Sequence, residues 1–255
     1  MNNEVNQLTI VTTTYNCRQH IEEYVSAISS LDTKIFDWII IDAGSTDGTK
    51  EYLTEKIHCF THFSVQPDSG VYFGLNNALK HIKTKYYMVF GADDRPSPDL
   101  ISELKPFLAE DYSLILGSVR TLPSNRVKTT GSRKMHWISW GRTISHHSVG
   151  TVIKRDVHDR FGIYDIDYSI CADGKLIKAI LKSSEPIVFT NRIFGDFRLG
   201  GISSQNKMRS IIELFLIQVQ ARENIVVQLI LLNCRVLQCA AAGCKSRLVE
   251  RTRKN

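Results

Sequence analysis

The sequence is short of several devices that would have organised it differently. Its six cysteines, Cys17, Cys59, Cys171, Cys234, Cys239 and Cys244, show no paired metal-type spacing, which removes a zinc site as an organising feature. The opening Met1–Gln7 has neither the positive n-region nor the apolar h-region of a signal peptide, so a reducing, cytoplasmic setting is expected. No repeat or low-complexity tract appears. With 43% hydrophobic and 23% charged residues among 255, the composition fits one large α/β domain with a small appendage. Acidic residues are absent from Tyr112 to Arg155. The net charge of +6 and a pI near 9.0 favour anionic partners such as nucleotides, acidic lipids or nucleic acid.

What is present centres on Tyr86–Pro96, an apolar run that stops at Asp93 and Asp94. Aromatic and β-branched residues ending at Gly91 read as a buried strand opening into a loop, which puts both carboxylates at an exposed strand end. Ligands bind at such ends in open α/β sheets. Adjacent like charges persist most easily around a shared cation, and hard carboxylate oxygens suit Mg²⁺ or Mn²⁺ bridging to a diphosphate. The competing reading is a polar turn that caps the next helix.

Three further strand-to-helix units precede this one. Leu8–Val11 leads into the polar loop Thr12–Asn16 and a helix carrying Ile21, Tyr24, Val25, Ile28 and Leu31. Trp38–Ile41 ends at Asp42, followed by the turn Ala43–Thr49, with Ser45 or Thr46 expected to cap the next helix. Phe63–Val65 runs into Pro67–Gly70, and Val71–Ile82 reads as a helix. Four such units argue for a doubly wound, mostly parallel sheet. The polar loops then gather on one edge, so Thr12, Asp42, Asp68 and Asp93 are expected to converge.

The basic stretch from Tyr112 to Arg155 also carries Trp137, Trp140, His146 and His147. It reads either as a solvated loop or as a surface that holds anionic groups and stacks sugar rings on tryptophan. Nucleic-acid binding ranks lower, because no recognition helix or RNA-binding motif accompanies the charge. Asp173 begins an apolar helix, where the macrodipole favours a carboxylate as a cap or as a functional group. Ile211–Ala242 reads as one long apolar helix interrupted by Gln228, Asn233, Arg235 and Gln238, too polar to span a bilayer. The basic tail Lys245, Arg247, Arg251, Arg253 and Lys254 gives it the composition of an interfacial anchor. Packing on its own domain or on a partner subunit is the alternative. The domains expected are residues 1–205 and a helical, basic extension, 206–255.

Taken together, Thr12–Asn16, Asp42–Thr49, Pro67–Tyr72 with Asn76, and Ala92–Asp94 make the chain resemble the family 2 glycosyltransferases of the GT-A fold, particularly bacterial enzymes of polysaccharide and O-antigen assembly. The resemblance runs from Leu8 to about Ser204. It implies that Thr12, Thr13, Tyr15, Asp42 and Ser45 hold the base and ribose of a nucleotide diphosphate sugar, with UDP ahead of GDP by family frequency alone. Asp68 and Asn76 fall in a further nucleotide-side motif, Asp93 faces ribose or sugar, and Asp94 ligates Mn²⁺ or Mg²⁺. Asp173 matches the general base of these inverting enzymes. His147, Trp137, Trp140 and Gly201 are candidates for the acceptor side or the diphosphate. The implied acceptor is a glycan or polyprenyl-diphosphate-linked glycan at the inner face of a membrane, which the C-terminal helix would contact peripherally; nucleic acid is not expected. Two departures stand out: Gly174-Lys175 replaces a frequent Tyr-Asp, and Phe73 replaces a frequent Asp. A non-catalytic nucleotide-sugar-binding relative, or a basic protein binding membrane or nucleic acid, remains the alternative.

Overall fold

The computed structural model describes residues 6–31, 35–67, 70–139, 143–145, 148–200 and 206–253, with side chains through residue 241. Its first part follows the sequence pattern closely. Strand β1 (Leu8–Thr14) leads to helix α1 (Arg18–Ser29), β2 (Phe36–Asp42) to α2 (Thr49–Glu55), β3 (His62–Val65) to α3 (Val71–Leu79), and β4 (Tyr86–Val89) through the short β5 (Arg95–Pro96) to α4 (Leu100–Leu108). β6 (Leu114–Leu122), β7 (Arg126–Lys128), β8 (Thr151–Lys154), α5 (Val157–Phe161), α6 (Ala172–Lys182), β9 (Ile187–Arg198), α7 (Lys207–Gln220) and α8 (Ile225–Arg253) complete the described elements.

The strands form one sheet in the order β3-β2-β1-β4-β8-β6-β9-β5, with β7 hairpinned onto β6. β3, β2, β1 and β4 are parallel. Beyond them the sheet is mixed: β8 runs antiparallel to both β4 and β6, while β9 returns parallel to β6. Strands covered on both faces bury alternate residues into two different cores. Leu8, Ile10, Ile40 and Met88 pack with Ile21, Tyr24 and Ile28 of α1 and Leu100 and Leu104 of α4. Val11, Ile39, Ile41 and Tyr87 pack instead with Leu75 and Leu79 of α3, Leu176, Ile177 and Ile180 of α6, and Ile217 of α7. The extension after residue 205 therefore contributes a side chain to the main core.

The long C-terminal pattern is two helices rather than one. The chain turns at Ala221–Asn224, where Arg222 takes a left-handed φ of 55° and Asn224 accepts the Val227 N–H to start α8. The elbow is fixed from outside: Lys178, buried on α6, donates to Glu223 at 2.7 Å and to Nδ1 and the carbonyl of His136 at 2.8 and 3.0 Å. Among the described residues no helix is long and apolar enough to cross a membrane.

Candidate active site

The loops after β1 and β2 are held by one carboxylate. Asp42 is fully buried; Oδ1 accepts the N–H groups of Gly44 and Ser45, and Oδ2 accepts the hydroxyls of Thr14 and Ser45. Every oxygen is committed within the protein, so Asp42 shapes the turn. Ser45 also accepts the Asn16 N–H, and Asn16 Oδ1 accepts the Thr46 N–H, which stitches the two loops together. Neither Ser45 nor Thr46 caps α2. Gly48 occupies that place with a φ of 92°, and Asp47 accepts from the N–H and hydroxyl of Thr49. Thr12 is buried on the Tyr24 hydroxyl. Thr13 is half-buried against α3, where a Cβ on Gly74 would stand 3.0 Å from its methyl. Tyr15 is 64% exposed, an aromatic face open at this edge.

Asp94 departs from the expected exposed strand end: it is only 2% exposed. Oδ2 accepts the Gly91 N–H at 2.9 Å and Oδ1 the Arg198 N–H at 3.2 Å, with the Ser148 hydroxyl a further donor. Burial, together with the neighbouring Asp93 carboxylate, pushes its proton affinity up to a pKa of about 7. Asp93 beside it is half-buried. The donor set is two adjacent carboxylates, all hard oxygen, and with three donors on Asp94 one of its four lone pairs remains for a cation. Among the described residues no group of three or more acidic, histidine or cysteine side chains could cage a metal. One or two carboxylates completed by phosphate oxygens is how Mg²⁺ and similar ions are usually held, so the residues present fit a divalent cation that arrives with a diphosphate.

Arg198 was not singled out by sequence. It ends β9, and its Nε donates to the Asp93 carbonyl at 3.3 Å. The register that brings it there depends on Gly195, opposite Pro96 of β5, where an added Cβ would lie 2.3 Å from the Arg95 carbonyl.

Asp173 sits in the first turn of α6. Its Oδ1 is 2.7 Å from the Tyr72 hydroxyl, which also stands 2.6 Å from the Ile170 carbonyl. Burial and then the Asp173 charge raise the Tyr72 phenol well above its usual range, so it remains a neutral donor. Behind it Tyr164 packs at a 5.7 Å ring separation. The Tyr164 hydroxyl is 2.7 Å from that of Tyr87, which is 2.7 Å from Nε2 of His158, whose Nδ1 faces the Gly162 carbonyl at 2.9 Å. A carbonyl can only accept, so His158 carries its proton on Nδ1, Tyr87 donates to Nε2 and Tyr164 donates to Tyr87. Asn76 is spent here too: its amide nitrogen donates to the Tyr164 carbonyl at 2.7 Å and its oxygen accepts the Tyr164 N–H at 2.9 Å. That pair of hydrogen bonds locks the segment leading to α6 onto α3.

The Trp137 indole is exposed, and its carbonyl accepts from Gln218 of α7 and Gln228 of α8. Asp68, Trp140, His147 and Gly201 lie outside the described residues.

The model of glycosyl transferase family 2 matches residues 9–168. The chain belongs to this family. It is 33% identical over 124 residues to the teichoic acid poly(glycerol phosphate) polymerase of Staphylococcus epidermidis, covering 47% of this chain but 17% of that one. The chain thus spans less than a fifth of that curated relative's length. Among solved structures it superposes on S. aureus TarS 1-349 in complex with UDP at a TM-score of 0.64 and 12% identity, over 89% of this chain and 69% of that one. It superposes equally, at 0.64 and 16% identity, on the mannosyltransferase PcManGT from Pyrobaculum calidifontis in complex with GDP-Man and Mn²⁺, over 98% and 80%. At these identities the likeness shows the fold, which is GT-A as the sequence motifs implied. The matched segment ends before Asp173, Arg198 and Glu213 of α7.

Proposed function

We propose that this glycosyl transferase family 2 member is a metal-dependent, inverting transferase that moves a sugar from a nucleotide diphosphate, UDP ahead of GDP, onto a hydroxyl of a glycan or lipid-linked glycan in bacterial surface polysaccharide synthesis. The observation that carries this reading is the pair Asp93-Asp94 at the end of β4, with one carboxylate held near neutrality by burial and by the other. Asp94, assisted by Asp93, would hold Mn²⁺ or Mg²⁺, and the cation would neutralise charge gathering on the departing nucleotide diphosphate. Tyr15 offers an open aromatic face for the base. Arg198, whose amide meets the Asp94 carboxylate and whose Nε meets the Asp93 carbonyl, would meet a phosphate oxygen. Asp173 accepts the proton of the acceptor hydroxyl as that oxygen attacks the anomeric carbon. The nucleotide leaves from the opposite side, so the configuration inverts.

Several exposed residues of α8, Val226, Leu229, Ile230 and Leu237, share one apolar face. With the basic residues that follow in sequence, this face supports peripheral contact with the cytoplasmic side of a membrane, where a polyprenyl-linked acceptor would be found.

The deciding experiment replaces Asp173 with Asn, which keeps size and polarity but cannot take the proton. Single-turnover rates should fall on the order of 10²- to 10⁴-fold with nucleotide-sugar affinity nearly unchanged. A wild-type rate in the folded variant would make Asp173 a helix cap and send the search for the base elsewhere.

A further inference from the structure

The start of α6 is secured from the far end of the chain. The residues entering a helix present N–H groups that the helix itself cannot satisfy, and the cap residue Cys171 offers no side-chain acceptor. Glu213, buried in the middle of α7, takes that part: Oε2 accepts the N–H groups of Ile170 and Cys171 at 3.0 and 2.8 Å. Oε1 accepts the Ser169 hydroxyl at 3.2 Å and Nε of Arg209 at 3.0 Å. Burying a carboxylate is unfavourable unless donors surround it. Three of its four donors belong to the three residues that lead into Ala172 and Asp173.

We infer that Glu213 is a positioning residue for Asp173, so that the C-terminal extension supplies part of the transfer site. The inference rests on Asp173 acting as the base. Two restraints then meet on one carboxylate. The Tyr72 hydroxyl fixes Oδ1 directly, while Glu213 fixes the backbone from which the side chain springs. Loosening the backbone lets the base drift, and displacements near 1 Å can cost about 10²-fold in rate. Donor loops on β1, β2 and β4 have no bond to Glu213 and should not respond.

A double-mutant cycle between Glu213→Gln and Asp173→Asn tests this, following nucleotide diphosphate release to water from UDP-GlcNAc and, in parallel, GDP-mannose, each with Mn²⁺. Gln keeps the shape but loses the charge that four donors share. In the wild-type background Glu213→Gln should lower turnover about 10- to 10²-fold with the donor KM within about twofold. In the Asp173→Asn background it should lower turnover no further, because Glu213 acts only through that base. A loss of equal size in both backgrounds, or one falling on the donor KM, overturns the assignment. If Asp173→Asn alone turns over at the wild-type rate, the base assignment fails first and takes Glu213 with it, an outcome distinct from additivity. Should Glu213→Gln not fold, Glu213→Asp, which keeps the charge and withdraws it by one methylene, is judged by the same criterion.

Discussion

The Tyr72 hydroxyl donates toward Oδ1 of Asp173 across 101 residues of sequence, at 2.7 Å. Tyr72 comes from the first turn of α3 and Asp173 from the first turn of α6. With the Tyr72–Ile170 and Asn76–Tyr164 bonds, the Tyr72–Asp173 bond ties α3 to the segment that opens α6.

Tyr72→Phe removes that bond and leaves the ring packed on Tyr164. Stability should fall by about 1 kcal/mol, and turnover by roughly tenfold with nucleotide affinity preserved. Chemical denaturation and single-turnover kinetics on the same preparation measure both. Equal turnover in the two proteins would leave Asp173 oriented by its helix alone.

Asp94→Ala should abolish the metal-enhanced part of nucleotide diphosphate binding. Calorimetry with UDP and GDP, with and without Mn²⁺, reads this directly. Because Asp94 is buried and accepts the Gly91 and Arg198 amides, some loss of stability should accompany it, so Asp94→Asn is the better control. Undiminished Mn²⁺ enhancement in both variants removes Asp94 from the metal site.

The α7–α8 elbow gives a stability test. Glu223 is raised by desolvation, but its bond and charge interaction with Lys178 outweigh that and hold it below the usual carboxylate range. A depressed folded value means stability that is present above the ordinary glutamate value of about 4.3 and lost as pH falls through the lower, folded one. Glu223→Gln should flatten that acid limb. At neutral pH it leaves Lys178, 1% exposed, without its counter-charge, at a cost of about 3–5 kcal/mol. Adding Lys178→Met should recover much of the loss, and thermal melts across pH give the comparison.

Membrane contact makes a further prediction. Flotation with anionic liposomes should carry the wild-type protein and weaken with salt, each basic residue near the surface contributing about 1 kcal/mol before screening. Replacing Val226, Ile230 and Leu237 together with Ser should reduce recovery in the lipid fraction. Equal recovery would assign that apolar face to another role.

The first four β-α units were legible because their signals are local: periods of two and of 3.6 residues, punctuated by glycine and polar turns. Asp42, Asp93 and Asp173 stand where their strands and helix were expected. The burial of Asp94 was not legible, since two adjacent carboxylates read as exposed and the amide that covers one comes from Arg198, 104 residues away. Asn76 was visible as part of a motif, but its partner Tyr164, 88 residues away, was not. The break in the C-terminal helix left a usable trace, Asn224 as a cap ahead of an apolar run, overshadowed by the density of Ile, Leu and Val around it. Glu213 left none: a glutamate inside an amphipathic helix reads as a solvated one until its donors are known.

The dependence of α6 on Glu213 also sets an order of events during synthesis. A nascent chain that has emerged through β5 already carries Asp42, Asp93 and Asp94, although the Arg198 amide that meets Asp94 is still to come. Tyr72 then waits for Asp173, and the turn holding Asp173 waits for α7. At about 5–20 residues per second, on the order of ten seconds separate these stages. Through that interval the turn that carries Asp173 lacks its Glu213 acceptor, so if Asp173 is the base, transfer competence waits until Lys207–Gln220 has emerged.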